Sequence, residues 1–202
     1  LKHGVDPYGA SPNITHRMAS QLFFAMNKRF FKQKYDIIFI DALHLYEIVL
    51  AEIAESLSIL KEGGIIVLHD TCPINEDAQR MVASDFDNIL RDVILAEEKD
   101  RLHWHENTKK NQPIGYNGDV WKTVACLRHH AEMTIFSIPE ACVTILIPKK
   151  IEKFYVPPLQ EPLPLTFESY FLQFEKIMNP VSMEYFKQHV DDCIVVPEKN
   201  TQ

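Results

Sequence analysis

Residues 35–70 constrain the fold more than any other stretch of the chain. Tyr35-Asp36-Ile37-Ile38-Phe39-Ile40-Asp41 is a short apolar run rich in aromatic and β-branched residues, the pattern of a strand buried on both faces, and it ends in a carboxylate. From Tyr46 onward Val49, Leu50, Ile53, Leu57 and Leu60 recur at helical spacing, and Gly63-Gly64 reads as the stop. A second buried strand, Ile65-Ile66-Val67-Leu68, follows at once and ends in His69-Asp70. Strand, helix and strand within this length form a βαβ unit, whose right-handed crossover makes the two strands parallel. The fold class is therefore α/β.

The flanking sequence fits around that unit. Leu1 to Val5 reads as the end of a strand running into Asp6-Pro7, Asn13 to Met18 as a short strand, and Leu22, Phe23, Met26 and Phe30 as one face of a helix. A helix is expected over 76–98, followed by a polar stretch, 99–117, of the length used for lids and binding loops. Asp119 is placed to cap a helix carrying Val120, Val124 and Leu127. Residues 134–138 and 142–147 are strands joined only by Pro139-Glu140-Ala141, a connection short enough for an antiparallel hairpin and too short for a parallel crossover. The sheet is thus mixed. Beyond residue 150 a Pro-rich connector leads to a helix that Thr166 can cap, with Phe167, Tyr170, Phe171, Phe174, Ile177 and Met178 forming an aromatic stripe ended by Pro180. We divide the chain into an α/β domain, 1–150, and a connector with a helical extension, 151–202.

With 46% hydrophobic and 24% charged residues over 202 positions, the chain has the composition of a globular domain and can bury one core. The net charge of −7 opposes nucleic-acid backbones and anionic membranes, so a small or neutral substrate is the expected partner. No apolar run reaches the ~20 residues of a membrane span and no signal peptide opens the chain, which makes a cytoplasmic setting the default expectation. Cys72, Cys126, Cys142 and Cys193 form no Cys-x-x-Cys pair and read as buried free thiols.

Asp41-Ala42-Leu43-His44-Leu45-Tyr46, Gly63-Gly64, His69-Asp70 and Asn117-Gly118-Asp119-Val120-Trp121-Lys122, in this order, resemble a bacterial branch of the class I S-adenosylmethionine-dependent methyltransferases. That branch reads Asp-Gly-x-His-x-Tyr, Gly-Gly, His-Asp and Asn-Gly-Asp-Val-Trp-Lys. Gly4-Val5-Asp6-Pro7 fits the end of the fold's second strand, and the closing hairpin fits its reversed last strand. The resemblance covers about residues 1–150 and implies a Rossmann-like sheet, mostly parallel, with a C-terminal antiparallel hairpin. Two departures stand out. Ala42 replaces a family glycine, and the six glycines (Gly4, Gly9, Gly63, Gly64, Gly115 and Gly118) form no Gly-x-Gly loop. The family's first strand and cofactor loop are therefore expected upstream of Leu1.

Ligands of open α/β sheets bind beyond the carboxyl ends of the strands. The resemblance implies S-adenosylmethionine as cofactor, with Asp6 accepting from its ribose hydroxyls, Ser20 near its adenine, and Asp41 and Ala42 lining its site. His44, expected in the first turn of the helix where the macrodipole disfavours imidazolium, is the candidate base for removing a hydroxyl proton, with His69 and Asp70 beside it as further catalytic groups. Asp119 and Trp121 are candidates for the acceptor side; as helix cap and core residue they also have ordinary structural roles. The cluster Asp41, His44, His69 and Asp70 could equally hold a divalent metal. His103, Trp104 and His105 read as incidental members of a solvated loop. The expected function is methyl transfer to a hydroxyl of a sugar or other small polar metabolite. Two other readings stay open: a non-catalytic methyltransferase-like remnant acting as an interaction module, or a homo-oligomer contact, through its aromatic C-terminal helix, and a metal-dependent hydrolase using the Asp/His cluster. No Gly-x-Ser-x-Gly or Gly-x-Gly-x-x-Gly motif supports a serine hydrolase or a nicotinamide enzyme.

Overall fold

The computed structural model describes residues 2–7, 11–79, 117–128, 132–149 and 166–189. The chain divides into two compact units, Leu1–Gln33 with Met81–Ile114, and Lys34–Arg80 with Gly115–Gln202. Of the expected helix over 76–98 only a turn at 76–79 falls in the described set. The 99–117 loop up to Asn117, with His103, Trp104 and His105, and the Pro-rich connector lie outside the described residues.

The second unit is built on a four-stranded mixed sheet. β1 (Tyr35–Ile40) pairs in parallel with β2 (Leu60–His69), β2 pairs antiparallel with β4 (Val143–Pro148), and β4 pairs antiparallel with β3 (Met133–Ile138), giving the order β1-β2-β4-β3. The βαβ unit and the hairpin thus form as the periodicity predicts, in one sheet. Among the described strands only β1 and β2 are parallel. The connection between β1 and β2 is α2 (Tyr46–Ile59), which buries Val49, Leu50, Ile53 and Leu57.

One correction concerns the glycine pair. α2 ends at Ile59 and Leu60 already begins β2, so Gly63 and Gly64 lie inside the strand and do not cap the helix. The pairing register shifts between Tyr35 and Ile37, and Gly63 adopts φ 72° there. A Cβ on Gly64 would stand 2.9 Å from the carbonyl oxygen of Asp36, so the irregularity in β2 needs a residue without a side chain.

Alternation along the strands gives the sheet two faces. On one, Ile38, Ile66, Leu146 and Ile135 lie in a cross-strand row. α2, α3 (Trp121–Leu127), α4 (Phe167–Leu172) and α5 (Phe174–Met178) cover them, contributing Ile53, Trp121, Val124, Tyr170 and Met178 to one large core. The aromatic stripe is therefore core packing for Tyr170, Ile177 and Met178, whereas Phe171 is exposed. Thr166 caps α4 by accepting from Ser169 N at 3.1 Å, as expected, and the helix breaks at Gln173. Arg128 carries the same core to the C-terminal segment, donating to the carbonyl oxygens of Ile177 and Ile135. The other face holds a smaller cluster of Ile65, Phe136, Ile138, Ile145 and Ile147, against which α6 (Met183–Gln188) packs Met183 and Phe186. The sequence reading stopped at Pro180 and missed α6.

In the first unit, α1 (Ser20–Met26) runs into a π-helical turn, Asn27–Phe31. Phe23 and Phe24 are buried, while Leu22 and Phe30 are exposed, unlike the simple helical stripe expected; Phe30 lies in the wider turn, which shifts it off the α-helical period. Asn27 closes the turn by exchanging two hydrogen bonds with the Gln33 backbone, at 3.0 and 3.1 Å. The strands expected near Val5 and over 13–18 reduce to a single parallel bridge, Val5 to His16. His16 sits among aromatic rings, 5.0 Å from Phe23 and 5.3 Å from Phe31. No helix among the described residues is long and apolar enough to cross a membrane.

Candidate active site

β1 and β2 run parallel, so their carboxyl ends lie side by side and release Asp41 and His69-Asp70 at the same edge of the sheet. Asp70 takes a left-handed backbone, φ 57°, which turns the chain sharply off β2. The loop after β1 brings His44 back over both carboxylates. Its Nε2 lies 3.1 Å from Asp70 Oδ2 and 3.8 Å from Asp41 Oδ1. His69 Nδ1 lies 3.1 Å from the same Asp70 oxygen and 3.5 Å from Asp41. The four residues proposed from the strand ends therefore converge. His44 stands before the N-cap Leu45, outside the first turn of α2, so the dipole argument for it weakens and the carboxylates become its main electrostatic neighbours.

The segment Asn117-Gly118-Asp119 fixes this arrangement. Asn117 Nδ2 donates to Asp70 Oδ1 at 2.8 Å. Asp119 N donates to the carbonyl oxygen of His44 at 3.2 Å, and its Oδ1 accepts from Tyr46 N at 2.9 Å. Its other oxygen faces Lys122 Nζ at 3.0 Å. Asp119 thus caps α2, a helix far away in sequence, whereas α3, the helix it was expected to cap, has no side-chain cap. Gly118 has φ 61°, and a Cβ there would run into the His44 carbonyl oxygen, so only glycine lets the clamp close. Asp119 is 1% exposed and Trp121 is fully buried, its Nε1 donating to Gln79 Oε1 at 3.1 Å and its ring 4.8 Å from that of Tyr170. Both hold the site from behind.

Electrostatically the cluster favours an ionised Asp41 and a charged His69. The imidazole of His44, 3.8 Å away, holds Asp41 below the usual carboxylate range, against the opposing effect of burial, and the charge of His69 adds to it. For His69, burial alone would lower the pKa, but the charges of Asp70 and Asp41 prevail and raise it. One donor atom each from Asp41, His44 and Asp70 lie within 4.8 Å of one another, a spacing a divalent cation could use.

The proposed cofactor residues divide between the units. Asp41 is exposed and Ala42 half-buried against the large core, both in the second unit. Asp6 and Ser20 belong to the first: Asp6 follows the Val5 bridge, its N–H donating to His16 O at 3.2 Å, and Ser20 opens α1. Sequence reasoning missed two neighbours of the cluster. Cys142, also left-handed at φ 52°, places its sulfur 3.3 Å from Asn117 Nδ2 and 3.3 Å from Cys72 N. Their separation along the chain left no signal to pair them.

Residues 6–71 match a family described as a methyltransferase domain. A search among curated proteins gave no match. The matched segment runs from the Asp6 turn through β1, α2 and β2 to Thr71, so it includes both strand ends that carry the cluster. Over that segment, about a third of the chain, the protein is similar to a methyltransferase domain, and the mixed α/β sheet is consistent with a Rossmann-like methyltransferase fold.

Proposed function

We propose that the chain transfers a methyl group from S-adenosylmethionine to a hydroxyl of a sugar or other small polar metabolite. The observation that carries this reading is His44 Nε2 facing two carboxylates, Asp70 at 3.1 Å and Asp41 at 3.8 Å, past the ends of two parallel strands. The cofactor supplies an electrophilic methyl on a sulfonium, and the donor set suits such a cation: Asp41 is held ionised and Asp70 lies beside it. Asp6 and Ser20 would hold its ribose and adenine, with Asp41 and Ala42 along its site. His44 is the base that takes the acceptor's proton, and the imidazolium so formed is stabilised by Asp70 and Asp41, which face its Nε2. His69 keeps Asp70 oriented from the other side. Asp119 and Trp121 act on the acceptor side through the loop and helix they anchor. The charge of −7 supports a small-molecule substrate over nucleic acid or a membrane surface, in a cytoplasmic setting. Exposed Phe171 and Leu172 support a homo-oligomer contact through the C-terminal helices.

A second reading rests on the 4.8 Å grouping of Asp41, His44 and Asp70: a divalent cation held there would orient the acceptor hydroxyl. The family match favours neither the hydrolase nor the non-catalytic module. The test is formation of S-adenosylhomocysteine with a panel of sugars and small polyols, before and after chelation. His44→Gln should lower turnover by ~10²–10⁴-fold while leaving cofactor affinity nearly unchanged, and Asp6→Ala should weaken cofactor binding first. Full turnover by His44→Gln in chelated buffer would remove His44 as the base. Activity restored only by a divalent ion would transfer the central role to the cation reading.

A further inference from the structure

Antiparallel pairing of β2 with β4 puts His69 opposite Val143, and Thr71 N donates to the carbonyl oxygen of Cys142 at 3.3 Å, carrying the ladder one step beyond the strands. That register makes Cys72 and Cys142 diagonal neighbours. Cys142 Sγ lies 3.3 Å from Cys72 N, from which it accepts, and 3.5 Å from Cys72 O, to which its thiol donates. Sulfur packed this closely against the partner's own backbone keeps the Cα atoms within the ~7 Å that a disulfide can bridge. Cys142 Sγ also receives Asn117 Nδ2 at 3.3 Å, so two N–H groups are aimed at it. Such donors favour a thiolate, the attacking form of cysteine. Cys142 is half-buried, whereas Cys72 is buried beside Thr71 Oγ1 at 3.6 Å. Attacking and resolving roles are thereby distinguished by access.

We propose that Cys142 is a peroxide-reactive site that forms a reversible disulfide with Cys72, tying the Asp70 loop to the start of β4. Cys142 sulfur attacks one oxygen of a hydroperoxide: an S–O bond forms, the O–O bond breaks, and the other oxygen leaves with a proton as water or an alcohol. The sulfur, oxidised by two electrons, is now a sulfenic acid. Cys72 sulfur then attacks it, forming the S–S bond and breaking the S–O bond, and the oxygen leaves as water with the Cys72 proton. The linkage removes Cys142 Sγ as a thiol partner for Asn117, the residue that also holds Asp70. This inference does not depend on methyl transfer.

The experiment uses the full chain and hydrogen peroxide, with alkylation of remaining thiols and peptide mass mapping. In the untreated protein Cys142 should alkylate before Cys72. After peroxide, the peptides containing Cys72 and Cys142 should be joined, with a mass lower by two hydrogens, and a dithiol should restore both free thiols. Cys72→Ser should lose the linkage completely and accumulate a sulfenic acid at Cys142 that a cyclic dione traps; Cys142→Ser should leave Cys72 unmodified. The mapping on unsubstituted protein decides the matter even if a variant folds poorly. Joining of either cysteine to Cys126 or Cys193 instead, or overoxidation of Cys142 with Cys72 still free, overturns the proposal.

Discussion

The two faces of the sheet are made from the same strands, yet they are finished differently. On the face of Ile66 and Leu146, four helices close over the row and bury Ile66, Leu146 and Ile135, leaving only Ile38 half-buried. On the opposite face, among the described residues, α6 covers the row Phe39, Val67, Ile145 and Phe136 at its Phe136 end, and Ile37 and Phe39 of β1 are 62% and 57% exposed. β1 is also an edge strand of the sheet of described residues. Strand alternation prescribes which residues share a face; it does not prescribe what covers that face. The Asp/His cluster stands at the end of the β1–β2 pair, where both faces meet. Side chains from the well-covered side, through Asp119 and Trp121, support it.

The contrast predicts an order of effects. Leu146→Ala should cost the most, about 2–5 kcal/mol by the usual cost of emptying a packed core site, read as a lowered denaturant midpoint with unchanged slope. A cost below about 1 kcal/mol would mean the first face is loosely packed. Gly118→Ala should follow at roughly 1–3 kcal/mol, since the left-handed backbone and the His44 carbonyl both oppose a Cβ. It should also displace His44, so turnover should fall more than stability; equal stability and turnover to the parent would dismantle the clamp.

A smaller, pH-dependent effect comes from the cluster itself. Asp41, held low in the folded state, stabilises above its unfolded pKa and loses that contribution as pH falls through the folded value. His69 is raised, so its contribution is complete below its unfolded pKa and is lost as pH rises through the folded one. The melting-temperature gap between the parent and His69→Gln should therefore be widest near pH ~5 and close above pH ~8. A gap that does not change with pH would show that His69 acts through packing alone. Phe39→Ser should matter least for folding, within about 0.5 kcal/mol, because its side chain is mostly exposed already. A loss comparable to that of Leu146→Ala would erase the difference between the faces.

Much of this was legible in the sequence. The apolar run 35–40, the helical spacing from Tyr46 and the short link at Pro139-Glu140-Ala141 report burial phase and chain reversal directly, because both are set by local geometry. Carboxylates at strand ends could likewise be placed at the ligand-binding edge. The Gly63-Gly64 pair was misplaced because a glycine pair serves a helix stop and a strand irregularity equally well, and only pairing with β1 decides between them. Phe30 was misplaced because a π-helical turn breaks the 3.6-residue period on which the expectation rested, and Leu22 because Phe23 and Phe24, not Leu22, form the buried side of α1.

By itself, then, the sequence determined the α/β class, the βαβ unit, the hairpin and the set of acidic and imidazole groups available at the sheet's edge. Tertiary structure alone decided which of them meet: Asp119 with the N-terminus of α2 across 73 positions, Asn117 with Asp70 across 47, and Cys72 with Cys142 across 70. Periodicity encodes how each segment faces its surroundings. Contacts between distant segments depend on the path of the backbone and on single left-handed residues such as Asp70, Gly118 and Cys142, whose conformation the packed neighbours impose.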